Sequence, residues 1–348
     1  MFRQSFAARS RVARGIAIAS LVALGTLSVS RAASGQATVA KGATVIDGWT
    51  DTTHHKAGFI HVAKRVRLHY LDFGGTGAPI VMLAGLGNTA HAWDDFAPRF
   101  VDRFHVVALT RRGFGESSQS DEGYDTKLLV EDIRIALDRL HLTRVIFVGH
   151  SIAGEEMTRF AATYPDRVLK LVYLDAAYDR PAAEQLMEEV FPVPPDVPSP
   201  PEPTEADTAT AAAYVSFVHR TRGVNIPESD IRTRFKYDGW DEGITDAAQS
   251  MRVERPAYTK VKAPALAIYA VTDSISQLEP WQRTDTAHFA GLLDMIRGTE
   301  IVYKQIRAEF RQEVAHSSVL EIHGAHHWIF VSNRDQCVAA IRRFLLVP

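Results

Sequence analysis

Apolar residues along the chain fall into two alternating patterns, short unbroken runs and longer stretches with helical spacing. The runs are typical of strands buried on both faces of a sheet, and they include 79–86, 105–110, 144–150, 169–177, 263–273 and 318–324. The stretches with helical spacing predict helices at 93–104, 124–142, 151–164, 288–315 and 334–346. Two segments with an alternating pattern, 58–62 and 66–74, predict an antiparallel hairpin at the start. This order predicts an α/β fold with a mostly parallel central sheet and helices on both faces.

The pattern changes near residue 179 and returns at 259, which predicts an insertion. Residues 192–203 hold seven of the chain's sixteen prolines, so this segment can form neither a helix nor a central strand. Mostly helical, amphipathic sequence follows. The simplest interpretation is a core of residues 58–178 and 259–348, interrupted by a cap or lid at 179–258 with a proline-rich loop. Apolar cap residues could line a pocket or simply pack the cap onto the core; they are Leu186, Met187, Val190, Phe191, Tyr214 and Phe217.

The N-terminus has the composition of a secretory signal. Residues 1–37 carry five arginines, no acidic residue and the apolar run 15–29, which is short for a bilayer span. We therefore expect residues 1–37 to be a signal peptide, residues 38–57 a lead-in, and the product secreted or periplasmic, without a stable membrane anchor. Without residues 1–37 the chain has 34 basic and 41 acidic residues, a net charge of −7. That balance excludes a general nucleic-acid footprint.

The segment FVGHSIAGEE at 147–156 carries the strongest chemical signal. A run of strand residues ends on Ser151, with small residues two positions to either side, Gly149 and Ala153. Only small residues permit so tight a turn from strand to helix, and such a turn would present the hydroxyl at the edge of the sheet. A serine needs a histidine base, which in turn needs a carboxylate to orient it.

The order Ser, then acid, then His is available downstream. Two aspartates end strands after Ser151, namely Asp175 and Asp273. Asp273 is favoured because it lies nearer in sequence to the histidines of HGAHHW at 323–328. Among these, His327 is favoured over His326 as the base, and His323 is placed at the end of the last strand.

Acyl chemistry also needs donors for the oxyanion. The backbone N–H of Ile152 and that of Leu86, in the loop after strand 79–86, are the candidates, with Asn88 as a further possible donor. No cofactor is predicted, because GLG at 85–87 lacks the third glycine of a dinucleotide fingerprint. No metal is predicted at residues 323–327, because no ligand cluster has the right spacing. His54 and His55 precede the predicted fold and are expected to be solvated, and Cys337, the single cysteine, is expected to pack in the core.

These motifs together resemble the α/β-hydrolase superfamily, in particular capped serine esterases and cofactor-free haloperoxidases. The similar segments are AGLGNTAHAW (84–93), TRRGFGESSQ (110–119), GHSIAG (149–154), the strand that ends in Asp273, and GAHHW (324–328). The resemblance implies a Ser151–His327–Asp273 triad. The chain departs from the family at Ala84–Gly85, where many members have His-Gly, and at Thr110, where many have Asp. Serine at the elbow argues against epoxide hydrolases and haloalkane dehalogenases, whose nucleophile is aspartate.

The sequence therefore predicts a serine hydrolase for a small ester, lactone or related acyl compound. Aminopeptidase-type, perhydrolase or carbon–carbon hydrolase activity on the same fold stays open, as does a ligand-binding protein without turnover.

Overall fold

The fold is described from a computed structural model that covers residues 49–120, 122–236, 249 and 254–346. The predicted signal peptide (1–37), most of the lead-in and residues 237–248 of the predicted cap lie outside these residues. In the described part of the chain, no helix combines the length and apolar character needed to cross a bilayer.

Within the described residues, eight strands form a single sheet in the order β1-β2-β4-β3-β5-β6-β7-β8. In this sheet β1–β2 and β2–β4 pair in antiparallel fashion, and the other neighbouring pairs are parallel. The strands are β1 (Lys56–Ala63), β2 (Val66–Gly74), β3 (Pro79–Leu83), β4 (His105–Leu109), β5 (Val145–His150), β6 (Val168–Leu174), β7 (Ala265–Val271) and β8 (Ser317–His323). The predicted opening hairpin and the predicted parallel sheet are both confirmed.

The helices pack on both faces of this sheet. Successive side chains of a strand point to opposite faces, so each strand contributes to the apolar core on both sides. In β5, Val145 and Phe147 join one core cluster, while Ile146 and Val148 join the other. The helices are α1 (Thr126–Arg139), α2 (Ala153–Thr163), α3 (Arg180–Val190), α4 (Glu205–Thr208), α5 (Ala211–Arg222), α6 (Glu228–Lys236), α7 (Pro280–Arg283), α8 (Phe289–Glu313), α9 (Ile329–Ser332) and α10 (Arg334–Leu346).

The predicted helix at 93–104 does not form. Two 3₁₀ turns, Ala90–Trp93 and Ala97–Arg99, occupy this region. Pro98 explains the break, because proline has no backbone N–H to donate and its ring collides with the carbonyl four residues earlier in an α-helix. Trp93, Phe96 and Phe100 are fully buried, so the apolar spacing that suggested a helix serves core packing instead.

The described part of the insertion between β6 and β7 contains four helices, α3 to α6. Residues 192–203 form neither helix nor strand, as the prolines predicted. Met187 and Phe191 are buried in the core cluster that contains Val145 and Phe147 of the sheet. Tyr214 and Phe217 pack against the other cluster, which contains Ile146 and Val148. These side chains therefore fasten the insertion to the core. The division of the chain into core and cap stays a prediction.

The close approach of α2 to the end of β6 depends on Gly154. A Cβ atom at this position would lie 1.8 Å from the backbone oxygen of Ala176. Gly154→Ala should therefore lower the free energy of unfolding by about 1–3 kcal/mol, because a backbone atom cannot rotate away as a side chain can. Chemical denaturation of purified variants measures this. Thr163→Ala, on the exposed end of the same helix, is the control and should change stability by less than about 0.5 kcal/mol. Equal stability of the two variants would contradict the packing argument.

Candidate active site

Ser151 occupies a strained turn between β5 and α2. Its φ angle is +54°, in the left-handed region that residues other than glycine rarely adopt. A side chain at 149 would crowd the start of α2, since a Cβ atom there would lie 2.2 Å from the Met157 sulfur and 3.1 Å from the Ala153 Cβ. The predicted pattern of small residues around Ser151 thus has a direct steric cause. The serine is 2% exposed and lies at the carboxyl end of its strand.

His327 lies beside this serine, in the loop that follows β8. Its Nε2 atom is 3.0 Å from Ser151 Oγ. The backbone carbonyl of His327 accepts a hydrogen bond from His150 Nε2 at 3.0 Å, and the two imidazole rings are 4.6 Å apart. Burial lowers the pKa of His150 well below its ordinary value, so this ring stays neutral and one nitrogen can donate to the carbonyl. His150 therefore supports the loop that carries His327.

Asp175 completes the hydrogen-bonded chain. Its Oδ2 is 2.7 Å from His327 Nδ1. Its Oδ1 accepts from the Ala270 backbone N–H at 3.0 Å and from the Tyr178 hydroxyl at 2.5 Å. Asp175 also has a left-handed φ angle, +48°, directly after β6. The carboxylate is therefore fixed on both oxygens, and only one of them faces the imidazole.

The predicted pairing of Asp273 with His327 is wrong. Asp273 lies two residues beyond the end of β7, and its carboxylate contacts His323 Nδ1 at 3.0 Å on the exposed surface. The loop after β8 folds back over the strand ends toward β5, where the His150 hydrogen bond fastens it. His327 Nδ1 consequently faces β6, the neighbour of β5, rather than β7. Asp175, the alternative acid, therefore contacts His327 in place of Asp273.

His326, the alternative base, points elsewhere. Its Nδ1 accepts the Trp328 backbone N–H at 3.2 Å, and its Nε2 lies 3.7 Å from a Glu279 oxygen. Burial, assisted by the nearby His327 and Arg222, lowers the pKa of His326 to about 3. A histidine of such low basicity is poorly suited to accept a proton from a serine.

The loop after β3 brings Leu86 close to the turn at Ser151, and polar contacts hold it in place. Leu86 and Ile152 are both buried and belong to one small apolar cluster. The Asn88 side-chain amide donates to Asp230 Oδ2 at 2.7 Å, which fixes the orientation of this side chain. Asp230 Oδ1 accepts both the backbone N–H and the hydroxyl of Thr89, at 2.7 and 2.8 Å. Helix α6 therefore anchors this loop.

A second anchor comes from Arg111, whose role the sequence analysis did not identify. Its guanidinium forms a buried bidentate pair with Glu156 on α2, at 2.8 and 2.5 Å, and donates to the Ala84 carbonyl at 3.1 Å. One side chain thus connects the end of β3 to the helix after Ser151. A buried arginine pair of this kind is specific in geometry. The only signal in the sequence was the double arginine at 111–112 before a glycine-rich turn.

The structure agrees with the expectations for Cys337 and His54, but not with the expectation for His55. Cys337 is fully buried in α10, and burial raises the pKa of its thiol to about 12, which agrees with a packing role. His54 is exposed as expected. The expectation for His55 is wrong, because its side chain is only 11% exposed and lies beside His91, with ring centroids 5.4 Å apart.

Comparison with known families gives a match over most of the chain. The family described as alpha/beta hydrolase fold matches residues 78–334. A soluble epoxide hydrolase from Corynebacterium sp. is 31% identical over 126 residues, which cover 36% of this chain and 42% of that protein. A putative non-heme haloperoxidase from Mycobacterium phage D29 is 38% identical over 104 residues, which cover 30% of this chain and 37% of that protein. In both matches the chain spans less than half the relative's length.

Solved structures show the same fold. The crystal structure of E-2-(acetamidomethylene)succinate hydrolase superposes with a TM-score of 0.58 at 20% identity. The superposition covers 84% of this chain and 99% of that one. At this level of identity the similarity concerns the fold alone.

Glu155, on the first turn of α2, is a buried carboxyl group close to Ser151 in sequence. Its Oε1 lies 3.5 Å from Arg180 Nε, and the two atoms form no hydrogen bond. Burial raises the pKa of Glu155 from 4.5 to about 8; Arg180 opposes the rise, and Asp179 and Glu156 add to it. The group is therefore protonated in the folded protein near neutral pH.

This protonation makes a testable prediction about stability. Between pH 4.5 and about 8, folded Glu155 holds a proton that the unfolded chain has released, so stability contributed by this group falls as pH rises. Glu155→Gln keeps the shape and removes the titration. Its Tm should match wild type near pH 5 and exceed it by several degrees near pH 8.5, measured by calorimetry. A wild-type advantage that grows with pH would contradict the prediction.

Proposed function

Because the chain belongs to the alpha/beta hydrolase fold family, we propose that it is a serine hydrolase acting on a small ester, lactone or related acyl compound. One observation carries this proposal, the continuous hydrogen-bonded chain Ser151–His327–Asp175. The two links measure 3.0 and 2.7 Å. In acyl transfer by a serine, the nucleophile lies within hydrogen-bond reach of a base, and a third group orients that base.

In the proposed mechanism, Ser151 Oγ attacks the acyl carbon while His327 Nε2 takes the hydroxyl proton. Asp175 holds His327 Nδ1–H in place and stabilises the imidazolium that forms. His327 then returns the proton to the leaving alcohol, and an acyl-enzyme remains on Ser151. A water molecule, deprotonated by His327, hydrolyses that ester, and the acid product and free serine are released.

The proposed oxyanion donors are the backbone N–H groups of Leu86 and Ile152. Within the described part of the chain, neither N–H donates to another protein acceptor. Leu86 lies in the loop that Arg111 and Asp230 anchor, and Ile152 directly precedes α2, which the buried Arg111–Glu156 pair connects to the end of β3. Donors that are fixed before the reaction stabilise the developing charge without reorganisation.

Epoxide hydrolysis is less well supported, despite the epoxide hydrolase among the relatives. A serine at the elbow would form an ether with an opened epoxide, and water does not readily cleave an ether. With an acyl substrate, Ser151 forms an ester that the same histidine can help to hydrolyse. The residue at position 151 therefore favours acyl substrates.

The two candidate acids allow a direct test. Asp175→Asn should lower kcat on a p-nitrophenyl ester by about 10³–10⁴-fold, because an amide cannot hold the imidazole in the required tautomer or stabilise its positive charge. Asp273→Asn should keep kcat within about threefold of wild type, since it alters only a surface contact with His323. Stopped-flow or steady-state kinetics with folded variants measure both values.

The same pair of variants distinguishes the possible failures. If Asp273→Asn is the inactive variant, the acid assignment is wrong although the hydrolase proposal stands. If both variants keep wild-type activity, the reaction does not use this chain of residues.

A further inference from the structure

A second group of polar residues lies apart from the Ser151 site, between the N-terminal segment and the turn that follows the Leu86 loop. It consists of Asp51, His55, His91 and Asp94, and we refer to it as the His55–His91 cluster. Asp51 and His55 precede β1, whereas His91 and Asp94 belong to the turn around Ala90–Trp93. None of these residues takes part in the proposed mechanism.

The distances within the cluster suit a small cation. His91 Nδ1 lies 3.4 Å from Asp51 Oδ2, and His55 Nε2 lies 3.9 Å from the same oxygen. Asp51, His55 and His91 each offer one ligand atom, and these atoms all lie within 4.8 Å of one another. Ligands around a tetrahedral zinc ion, with bonds of about 2.0–2.1 Å, are about 3.3 Å apart. Small side-chain rotations would close the remaining gap.

Three buried polar atoms of the cluster have no hydrogen-bond partner within the described residues. They are Asp51 Oδ2, which is one of the close ligand atoms, His55 Nδ1 and Asp94 Oδ1. Asp94, whose side chain is 2% exposed, directs this oxygen toward His55 Nδ1 at 3.9 Å. Buried polar atoms without partners are costly and call for an occupant.

The surrounding contacts orient the possible ligands. Asp51 Oδ1 accepts the Thr53 backbone N–H at 2.9 Å, which leaves Oδ2 for the cluster. Asp94 Oδ2 accepts the Ser229 hydroxyl at 2.5 Å and a hydrogen bond from His91 Nδ1 at 2.9 Å, so an ion bound at that nitrogen would displace its proton. Two carboxylates beside two imidazoles carry net negative charge when the histidines are neutral, and a divalent cation would balance it.

We propose that Asp51, His55 and His91 form a binding site for a zinc-type divalent cation, with Asp94 as the adjacent charged neighbour. Imidazole nitrogens and a carboxylate oxygen form a donor set that favours Zn²⁺ or Co²⁺ over Mg²⁺ or Ca²⁺, which prefer oxygen ligands alone. The ion would fasten the segment before β1 to the turn after β3. Because Ser229 belongs to α6, the same site also connects to the helix that anchors the Leu86 loop through Asp230.

The test uses the tag-free full chain, treated with chelator and dialysed. Titration with ZnCl₂ in a calorimeter should show about one ion bound per chain, and saturating Zn²⁺ should raise Tm, since an ion that binds only the folded state stabilises it. Mg²⁺ and Ca²⁺ should do neither. Co²⁺ should give the visible absorption of a site with nitrogen ligands.

Variants decide where the ion binds. His91→Ala and Asp51→Asn should weaken Zn²⁺ binding by about tenfold or more and abolish the rise in Tm. The matched controls are His54→Ala, an exposed neighbour of His55, and His323→Ala, which removes the surface contact with Asp273. Both should bind as wild type does. Asp51 lies at the edge of the fold, so Asp51→Asn decides the question alone if His91→Ala does not fold.

Several results would overturn the proposal. Wild type that binds no Zn²⁺ shows that the cluster holds no metal. Binding that survives in Asp51→Asn and His91→Ala, or that is lost in His323→Ala, indicates an adventitious ion only.

Discussion

The turn at Ser151 is the constraint on which the rest of the site depends. A residue other than glycine held at φ +54° costs free energy, and it persists only where the surroundings permit no alternative. Here the surroundings are the parallel strands on either side of β5 and the glycines that let α2 pack against them. The strain presents one hydroxyl at the edge of the sheet. His327 and the Leu86 loop are then arranged around that position.

Buried polar contacts hold the segments of the site in this arrangement. Arg111 connects the end of β3 to α2, Asp230 connects the following loop to α6, and His150 connects the end of β5 to the loop after β8. Each contact joins segments that are distant in sequence. If a single partner is removed, a buried donor or acceptor is left without compensation, which costs about 1–3 kcal/mol. The site is therefore rigid because its connections cannot be lost one at a time without penalty.

Much of this architecture could be predicted from the sequence, because hydrophobic patterning and local turn chemistry are encoded in neighbouring residues. The alternation of apolar runs and stretches with helical spacing predicted the sheet, and the segment GHSIAG predicted the turn at Ser151. The choice between Asp175 and Asp273 could not be made in this way. Both aspartates follow a buried strand, and only the path of the loop after β8 determines which one faces His327. The helix predicted at 93–104 failed for a local reason, Pro98, whereas the burial of His55 depends on a contact with His91 that no local pattern reveals.

Active-site labelling tests most directly whether His327 activates Ser151. Wild type, Ser151→Ala and His327→Ala would be treated with a fluorophosphonate, and intact mass would be measured. We expect one adduct on wild type and none on either folded variant, because an unactivated serine reacts poorly with this reagent. Folded wild type that gains no adduct, or a Ser151→Ala protein that is still labelled, would show that Ser151 is not the activated nucleophile.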